Sequence, residues 1–382
     1  MGESDQSQIL QFHAFLLGET GERLTRFERA LTQRISRGDV VLDLGSGTGV
    51  LAFLALRVGA SKVYAIEDTD AVELARALSA ANGIEDRIVL QQRWSSLAEL
   101  PEQADVLVAD IFDIFGLLPR GLGFVADARR RLLTPSAALI PSALEFHLAP
   151  VEAPQLYEQR ITFWTREISG FDLSSIHRCA MNNRYPNRFE RSALLSEPAM
   201  LARIELKDFE TPLIAGDVKV AVARAGVLHG LCGWFVADLA KGITLSNTPG
   251  DTTTRYSQAF FPIERAIAVK EGDTVSMGIH SYDNLGCKWQ VEVSAGSQVL
   301  AKSRHSTSFG FPLSDERLRA LLPSYRPQLT RRGEAQRLLL TLCDGQQSLE
   351  TLTAIFLERY AVLFRSPDDT VGFIRSTLAP AT

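Results

Sequence analysis

VVLDLGSGTG, residues 40–49, sets a continuous apolar run against three alternating glycines, Gly45, Gly47 and Gly49. A run without polar alternation reads as a strand buried on both faces, and the glycines as a tight turn into a helix. The same grammar continues downstream: a helix over 50–58, the strand VYAIE (63–67), a helix over 70–82, then strands at 87–91 and 104–110. Apolar strands separated by amphipathic helices predict a doubly wound, Rossmann-like α/β core with a parallel sheet. Upstream, Leu16, Leu17, Leu24, Phe27, Ala30 and Leu31 recur at helical spacing, predicting two short helices within 8–35 interrupted at 18–21.

After Pro141 the pattern changes to short alternating runs such as LEFHLAPV, VKVAVARAG and TVSMGIHSY. Period two with Gly, Asn and Asp turns predicts an antiparallel β-barrel or sandwich. Residues 334–379 read as helical again, with a helix-start signal at Gln347-Ser348-Leu349-Glu350. The expected division is therefore 1–36 (helices), 37–141 (α/β core), 142–325 (β-barrel) and 326–382 (small helical unit). The 382 residues are 46% hydrophobic and 22% charged, which excludes disorder over most of the chain. A net charge of -5 supplies no overall positive field for nucleic acid or an anionic membrane. Cys179, Cys232, Cys287 and Cys343 are far apart and form no metal-ligand spacing, so they read as reduced thiols. MGESDQSQIL lacks the basic-then-apolar pattern of a secretory signal, and no 18-residue apolar run exists, so the expected address is cytoplasmic.

A glycine turn between strand and helix lets a ligand approach the backbone and meet free amides. The spacing alone fits dinucleotides or S-adenosylmethionine (SAM), and three details favour SAM. Asp43 stands two residues before Gly45, where a carboxylate can receive an ammonium. Gly49 follows Gly47 by two positions, whereas the dinucleotide fingerprint needs three. Glu67 ends the second strand, where an acid can accept both ribose hydroxyls.

VLDLGSGTGVLAFLALRVGASKVYAIE resembles the SAM-binding core of the class I methyltransferases, and specifically of the protein arginine methyltransferase-like branch. LIPSALEFHLAPVEAP resembles that branch's passage from core to barrel. Phe163-Trp164 with ISGFDLS resembles its dimerisation arm, about 160–185, and TRYSQAFFPIERAIAVKEGDTV (254–275) its late barrel loop and hairpin. The resemblance spans roughly residues 9–300 and implies SAM as cofactor, S-adenosylhomocysteine (SAH) as product, and a homodimer. It implies a cofactor site of His13, Arg23, Asp43, Gly45, Ser46, Gly47, Gly49, Glu67, Asp68, Trp94, Ser95 and Asp110. Arg23 matches the arginine that meets the SAM carboxylate, although its spacing from Glu19 is one residue longer than the family's step; a solvated helix charge is the alternative. His13 matches a covering helix or is simply exposed, and Trp94 stacks on adenine or packs in the core.

The acceptor side departs from the family. Its loop after the fourth strand presents two glutamates, which suit the planar fork of a guanidinium. In residues 109–120, ADIFDIFGLLPR, Asp110 falls on the first and Pro119 on the second, so the double-acid clamp is gone. Where the family has Thr-His-Trp, this chain has Thr254-Arg255-Tyr256. Arg255 is expected to pair with Asp110 or Asp113, or to receive an anionic substrate. The candidate catalytic residues are thus Asp110, Asp113, Arg255 and Tyr256, with Asp110 as a possible base. Residues 338–362 resemble small winged-helix PqqD-like peptide-binding units, the alternative being a helical cap on the barrel. These readings predict a SAM-dependent methyltransferase acting on nitrogen or oxygen of a peptide, protein or peptide-like acceptor, with no membrane or nucleic-acid partner and no metal. A non-catalytic SAM- or peptide-binding scaffold and a small-molecule N- or O-methyltransferase are the competing readings.

Overall fold

The computed structural model describes residues 3–18, 22–116, 119–282, 286–320 and 322–378. Five strands, β1 (Val40–Leu44), β2 (Lys62–Glu67), β3 (Ile88–Gln92), β4 (Ala104–Ala109) and β5 (Leu133–Ile140), form a parallel sheet in the order β3-β2-β1-β4-β5. All five residues of β1 are buried, the four apolar ones as a strand covered on both faces requires and Asp43 among them. The helices along this stretch of chain are α1 (Glu3–Leu17), α2 (Glu22–Arg34), α3 (Val50–Val58), α4 (Ala71–Ala81) and α5 (Pro119–Arg131). α2 buries Arg23, Phe27, Ala30 and Leu31, one face at helical spacing. Pro119 opens α5, a position that suits proline because the first helical N–H has no intrahelical partner.

The remaining strands are antiparallel: β6 (Ala143–Val151), the hairpin β7 (Glu167–Ile168) and β8 (Phe171–Asp172), β9 (Tyr185–Asn187), β10 (Ala199–Glu205), β11 (Leu213–Ala221), β12 (Gly226–Ala240), β13 (Ile243–Ser246), β14 (Gln258–Val269), β15 (Thr274–Tyr282), β16 (Cys287–Ala295) and β17 (Gln298–Ser306). Helices α6 (Pro154–Arg160) and α7 (Ser174–Met181) flank the hairpin. One sheet runs β10-β6-β12-β14-β9 with β13 on β12, and another β11-β15-β16-β17. The expected barrel is therefore realised as two sheets that lie side by side where β10 meets β11 and β14 meets β17.

His13–Pro312 is one compact unit, and one hydrophobic core runs from Phe27 through the parallel strands to Val293. The helical tail begins at Leu313 rather than 326. Its α8 (Asp315–Ala320), α9 (Arg331–Leu342), α10 (Leu349–Arg359) and α11 (Pro367–Leu378) include a separate core of Leu339, Leu352, Phe356 and Phe373. Ser348 caps α10 by accepting from the Thr351 amide, as its start signal predicts. The described residues of this tail form helices and no strand pair for a wing.

Aromatic packing fastens the loop after β4 to the antiparallel sheet. Phe115 is 1% exposed and meets Phe146 of β6 and Phe261 of β14 edge-on, at 5.4 and 5.5 Å. Gly116 follows at φ 77°, and an added Cβ would lie 2.9 Å from Phe146 Cε1. Gly116→Ala is expected to lower unfolding free energy by about 1–3 kcal/mol, combining backbone strain with overpacking. Gly83→Ala, also at positive φ but with open space around its Cβ, should cost less. Equal shifts in thermal midpoint for the two variants would refute the packing argument.

Candidate active site

The ends of β1, β2 and β4 lie in register, Leu44 opposite Ile66 and Ala109, so the glycine turn, Glu67 and Asp110 emerge at one edge of the sheet. This is also where the strand order reverses, the place where open α/β sheets form crevices. Gly45, Gly47 and Gly49 adopt φ of 72°, 53° and 78°, which side chains rarely tolerate. The amides of Gly45 and Ser46 donate to the Ile66 carbonyl, and Gly47 N–H donates to Glu67 Oε2 at 2.8 Å. Glu67 Oε1 accepts from the amide and hydroxyl of Thr69. Glu67 thus builds the turn as well as lining it. The His13 ring lies against Gly47: its Cε1 is 2.5 Å from where a Cβ would be. Partial burial lowers the His13 pKa, with Glu67 opposing and Arg23 adding to the shift.

Several buried polar atoms here have no hydrogen-bond partner among the described residues: Asp43 Oδ1, Ser46 Oγ, Ser95 Oγ and Arg23 Nη1. Orphaned buried groups are rare and call for an occupant. An acid and a cation match the ammonium and carboxylate of an amino-acid moiety, so the residues present fit SAM. Beside them a cleft is lined by Leu44, Ile66, Asp68, Trp94, Ser95, Ile111 and Phe124, a mixture suited to a flat heterocycle. Trp94 is not a core residue; the guanidinium of Arg120 lies 4.3 Å from its ring centroid.

Asp110 sits between two donors. Its Oδ2 accepts from Arg23 Nη2, and its Oδ1 from the Tyr256 hydroxyl at 2.7 Å; Arg23 Nε also donates to that hydroxyl at 3.2 Å. Arg23 is consequently no solvated helix charge, whatever the spacing from Glu19, which lies outside the described residues. Asp113 instead receives both Arg184 nitrogens, at 2.7 and 3.2 Å. The expected pairing of Arg255 with Asp110 or Asp113 gives way to another arrangement. Arg255 donates to the carbonyls of Gly18 and Phe15 and lies over the Phe15 ring at 5.2 Å, because the end of α1 offers unsatisfied carbonyls.

Sequence reading missed Arg184, Arg120 and Asn247. Asn247 is fully buried and donates to the carbonyls of Ile114 and Ser257, clipping the Asp110 loop to the Tyr256 loop. Ile114 lies 133 residues away in sequence, so no local spacing marks that tie.

Against known proteins, a family model for the arginine methyltransferase oligomerization subdomain matches residues 142–294, and one for ribosomal protein L11 methyltransferase (PrmA) matches 26–120. The fold and the glycine-turn site define a class I SAM-dependent methyltransferase. The chain is 32% identical over 280 residues to an arginine N(omega)-methyltransferase of Streptomyces achromogenes subsp. streptozoticus, covering 70% of this chain and 75% of that one. It is 28% identical over 252 residues to protein arginine N-methyltransferase 6 of Xenopus laevis, covering 63% and 74%. The fold is shared with the Trypanosoma brucei PRMT1 enzyme-prozyme heterotetrameric complex with AdoHcy, at TM-score 0.70 and 22% identity over 77% of this chain and 97% of that one. Arabidopsis thaliana protein arginine methyltransferase 10 matches at TM-score 0.67 and 21% identity, over 78% and 98%. This chain belongs to the protein arginine methyltransferase-like family, and SAM is its methyl donor. The scaffold reading gives way to that membership. Among the described residues, no helix is long and apolar enough to cross a membrane.

Burial pushes the Asp43 carboxyl up to about 7, with Glu67 adding to the shift and the Ala52 amide and Arg23 opposing it. A pKa above the unfolded value of 3.8 means the folded chain holds a proton that the unfolded chain releases, so this group's contribution to stability falls as pH rises from about 4 to 7. An ammonium partner favours the carboxylate and reverses the sense for binding. Calorimetric titration with SAH should therefore show affinity weakening as pH falls below 7, by up to about tenfold per unit. Asp43→Asn should bind weakly with little pH dependence; an equal pH dependence in that variant would remove Asp43 from the cofactor site.

Proposed function

We propose that this chain methylates a guanidinium nitrogen of arginine borne on a peptide or protein. The observation that carries the reading is Asp110: a buried carboxylate at the end of β4, beside the cofactor turn, with each oxygen bonded to one donor of the chain. An ionised carboxylate has about four acceptor sites, so both oxygens can still take a donor from a guanidinium. The names of the relatives support the same acceptor.

In this reading Asp43 takes the SAM ammonium, Arg23 Nη1 its carboxylate, Glu67 the ribose hydroxyls, and the cleft of Asp68, Trp94 and Ser95 the adenine, while His13 covers the amino-acid end. Gly45, Ser46, Gly47 and Gly49 provide the close-approaching backbone. Bound SAM supplies an electrophilic methyl group on a sulfonium. The chain's task is then positioning. Asp110 holds the acceptor nitrogen in line and receives its proton as the nitrogen is alkylated. Tyr256 and Arg23 fix the carboxylate so that it cannot swing away.

A second reading takes free arginine as acceptor, favoured by the Streptomyces relative, whose name specifies arginine without a protein. The working form is proposed to be a cytoplasmic homodimer. The oligomerization-subdomain match supports the assembly, as do exposed Ile168 and Phe171 on the β7–β8 hairpin.

Arginine-bearing peptides and free arginine, each supplied with SAM, should separate the two acceptors by mass spectrometry of the products. Asp110→Asn is expected to lower kcat by about 10²-fold or more. Its SAH affinity should stay within a few fold of the parent. Full turnover in that variant would sink the role given to Asp110.

A further inference from the structure

The loop carrying Asp110, residues 110–116, is keyed into the core at several points. The Ile111 side chain lies so close to Gly45 that a Cβ there would be 2.3 Å from Ile111 Cγ2. Phe112 stacks on Phe235 of β12 at 4.8 Å, Phe115 is buried, and the Ile114 carbonyl accepts from Asn247. The other key is charged and belongs to a different part of the chain. Both Asp113 oxygens accept from the Arg184 fork, and Arg184 stands between α7 and β9, at the end of the arm-like segment. β9 in turn pairs with β14, Gln258 opposite Asn187, directly after the loop that holds Tyr256.

We propose that Arg184 is a positioning residue for methyl transfer: its fork on Asp113 ties the Asp110 loop to the arm, so that the placement of the arm sets the turnover rate. An exposed ion pair would carry little, but a bidentate arginine–carboxylate pair is geometrically specific. The side chains are 24% and 37% exposed. The Asp113 backbone is locked as well, because its N–H donates to the Gly116 carbonyl at 2.9 Å and Gly116 N–H donates back at 3.1 Å. The Asp113 carboxylate therefore moves with its turn, and Asp110 lies three residues away in the same loop. A displacement of about 1 Å at reacting groups can cost about 10²-fold in rate. Asp113 accordingly acts through Asp110 and is not itself a base.

Only the turnover readout rests on the proposed arginine acceptor. Arg184→Ala, Arg184→Lys and the charge exchange Asp113→Arg/Arg184→Asp are compared with the parent full-length chain in steady-state kinetics, SAH titration, light scattering and amide hydrogen exchange. Arg184→Ala should lower kcat by about tenfold or more. It should leave KM for SAM and SAH affinity within about twofold, since the cofactor contacts are untouched. Exchange should speed up in 110–116 but not in β12. Arg184→Lys should fall between, and the charge exchange should recover most of the lost kcat. Unchanged kcat and unchanged exchange in Arg184→Ala would overturn the proposal, as would a kcat loss that the charge exchange fails to restore. If the parent chain turns over neither arginine peptides nor arginine, the acceptor reading fails, and faster or unchanged exchange in 110–116 then decides this proposal alone.

Discussion

A buried carboxylate has to be neutralised where it stands, and Asp110 meets that requirement by drawing three separated parts of the chain together. Its side chain is 4% exposed and Arg23 6%. Removing one partner of such a pair leaves an uncompensated buried charge, at about 3–5 kcal/mol. Arg23 comes from α2, Tyr256 from the loop before β14, and Asp110 from the end of β4. Arg26, one turn along α2, repeats the tie by donating to the Thr244 carbonyl and the Thr253 hydroxyl. Helix α2, the parallel sheet and the loop leading into the antiparallel sheet therefore converge on one acid.

That convergence falls at the reversal of strand order, where β1 and β4 are neighbours yet their connections leave toward opposite sides. The glycine turn follows one strand and the Asp110 loop the other. On the proposed reading, cofactor and acceptor groups come from adjacent strand ends, and rigid strands set their separation. The orphaned atoms of Asp43, Arg23, Ser46 and Ser95 are four places where secondary structure leaves polar valence unsatisfied.

The parallel core was legible because its signals are local. Strand runs, glycine spacing and helical periodicity all act within ten residues, and β1, α3 and β2 appear where VVLDLGSGTG and its sequel put them. The cofactor candidates Asp43, Gly45, Gly47, Gly49 and Glu67 come together for the same reason, lying in or beside those strand ends. Arg255 shows the limit. Loop position pointed it at the acids, but which acceptor a long side chain finds depends on the end of α1, whose open carbonyls are remote in sequence. Arg184 and Asn247 were invisible because their partners lie 71 and 133 residues away. Hydrophobic pattern shows that parallel and antiparallel strands exist, but not that residues from both share one buried cluster.

On the proposed reading of the 110–116 loop, a missing acid changes the chemistry rather than merely weakening it. With two glutamates, a guanidinium meets an excess of negative charge that stabilises its cationic form. Here Pro119 opens a helix, Asp113 is paired with Arg184, and Asp110 is shared with Arg23. Each acid of the 110–116 loop already carries an internal guanidinium. On the proposed arginine reading, an incoming guanidinium would share Asp110 with a cation, and nearby positive charge disfavours its protonated form. On the proposed arginine reading, the geometry that costs the site affinity for a cation assists transfer of the guanidinium proton to Asp110 as the nitrogen is alkylated.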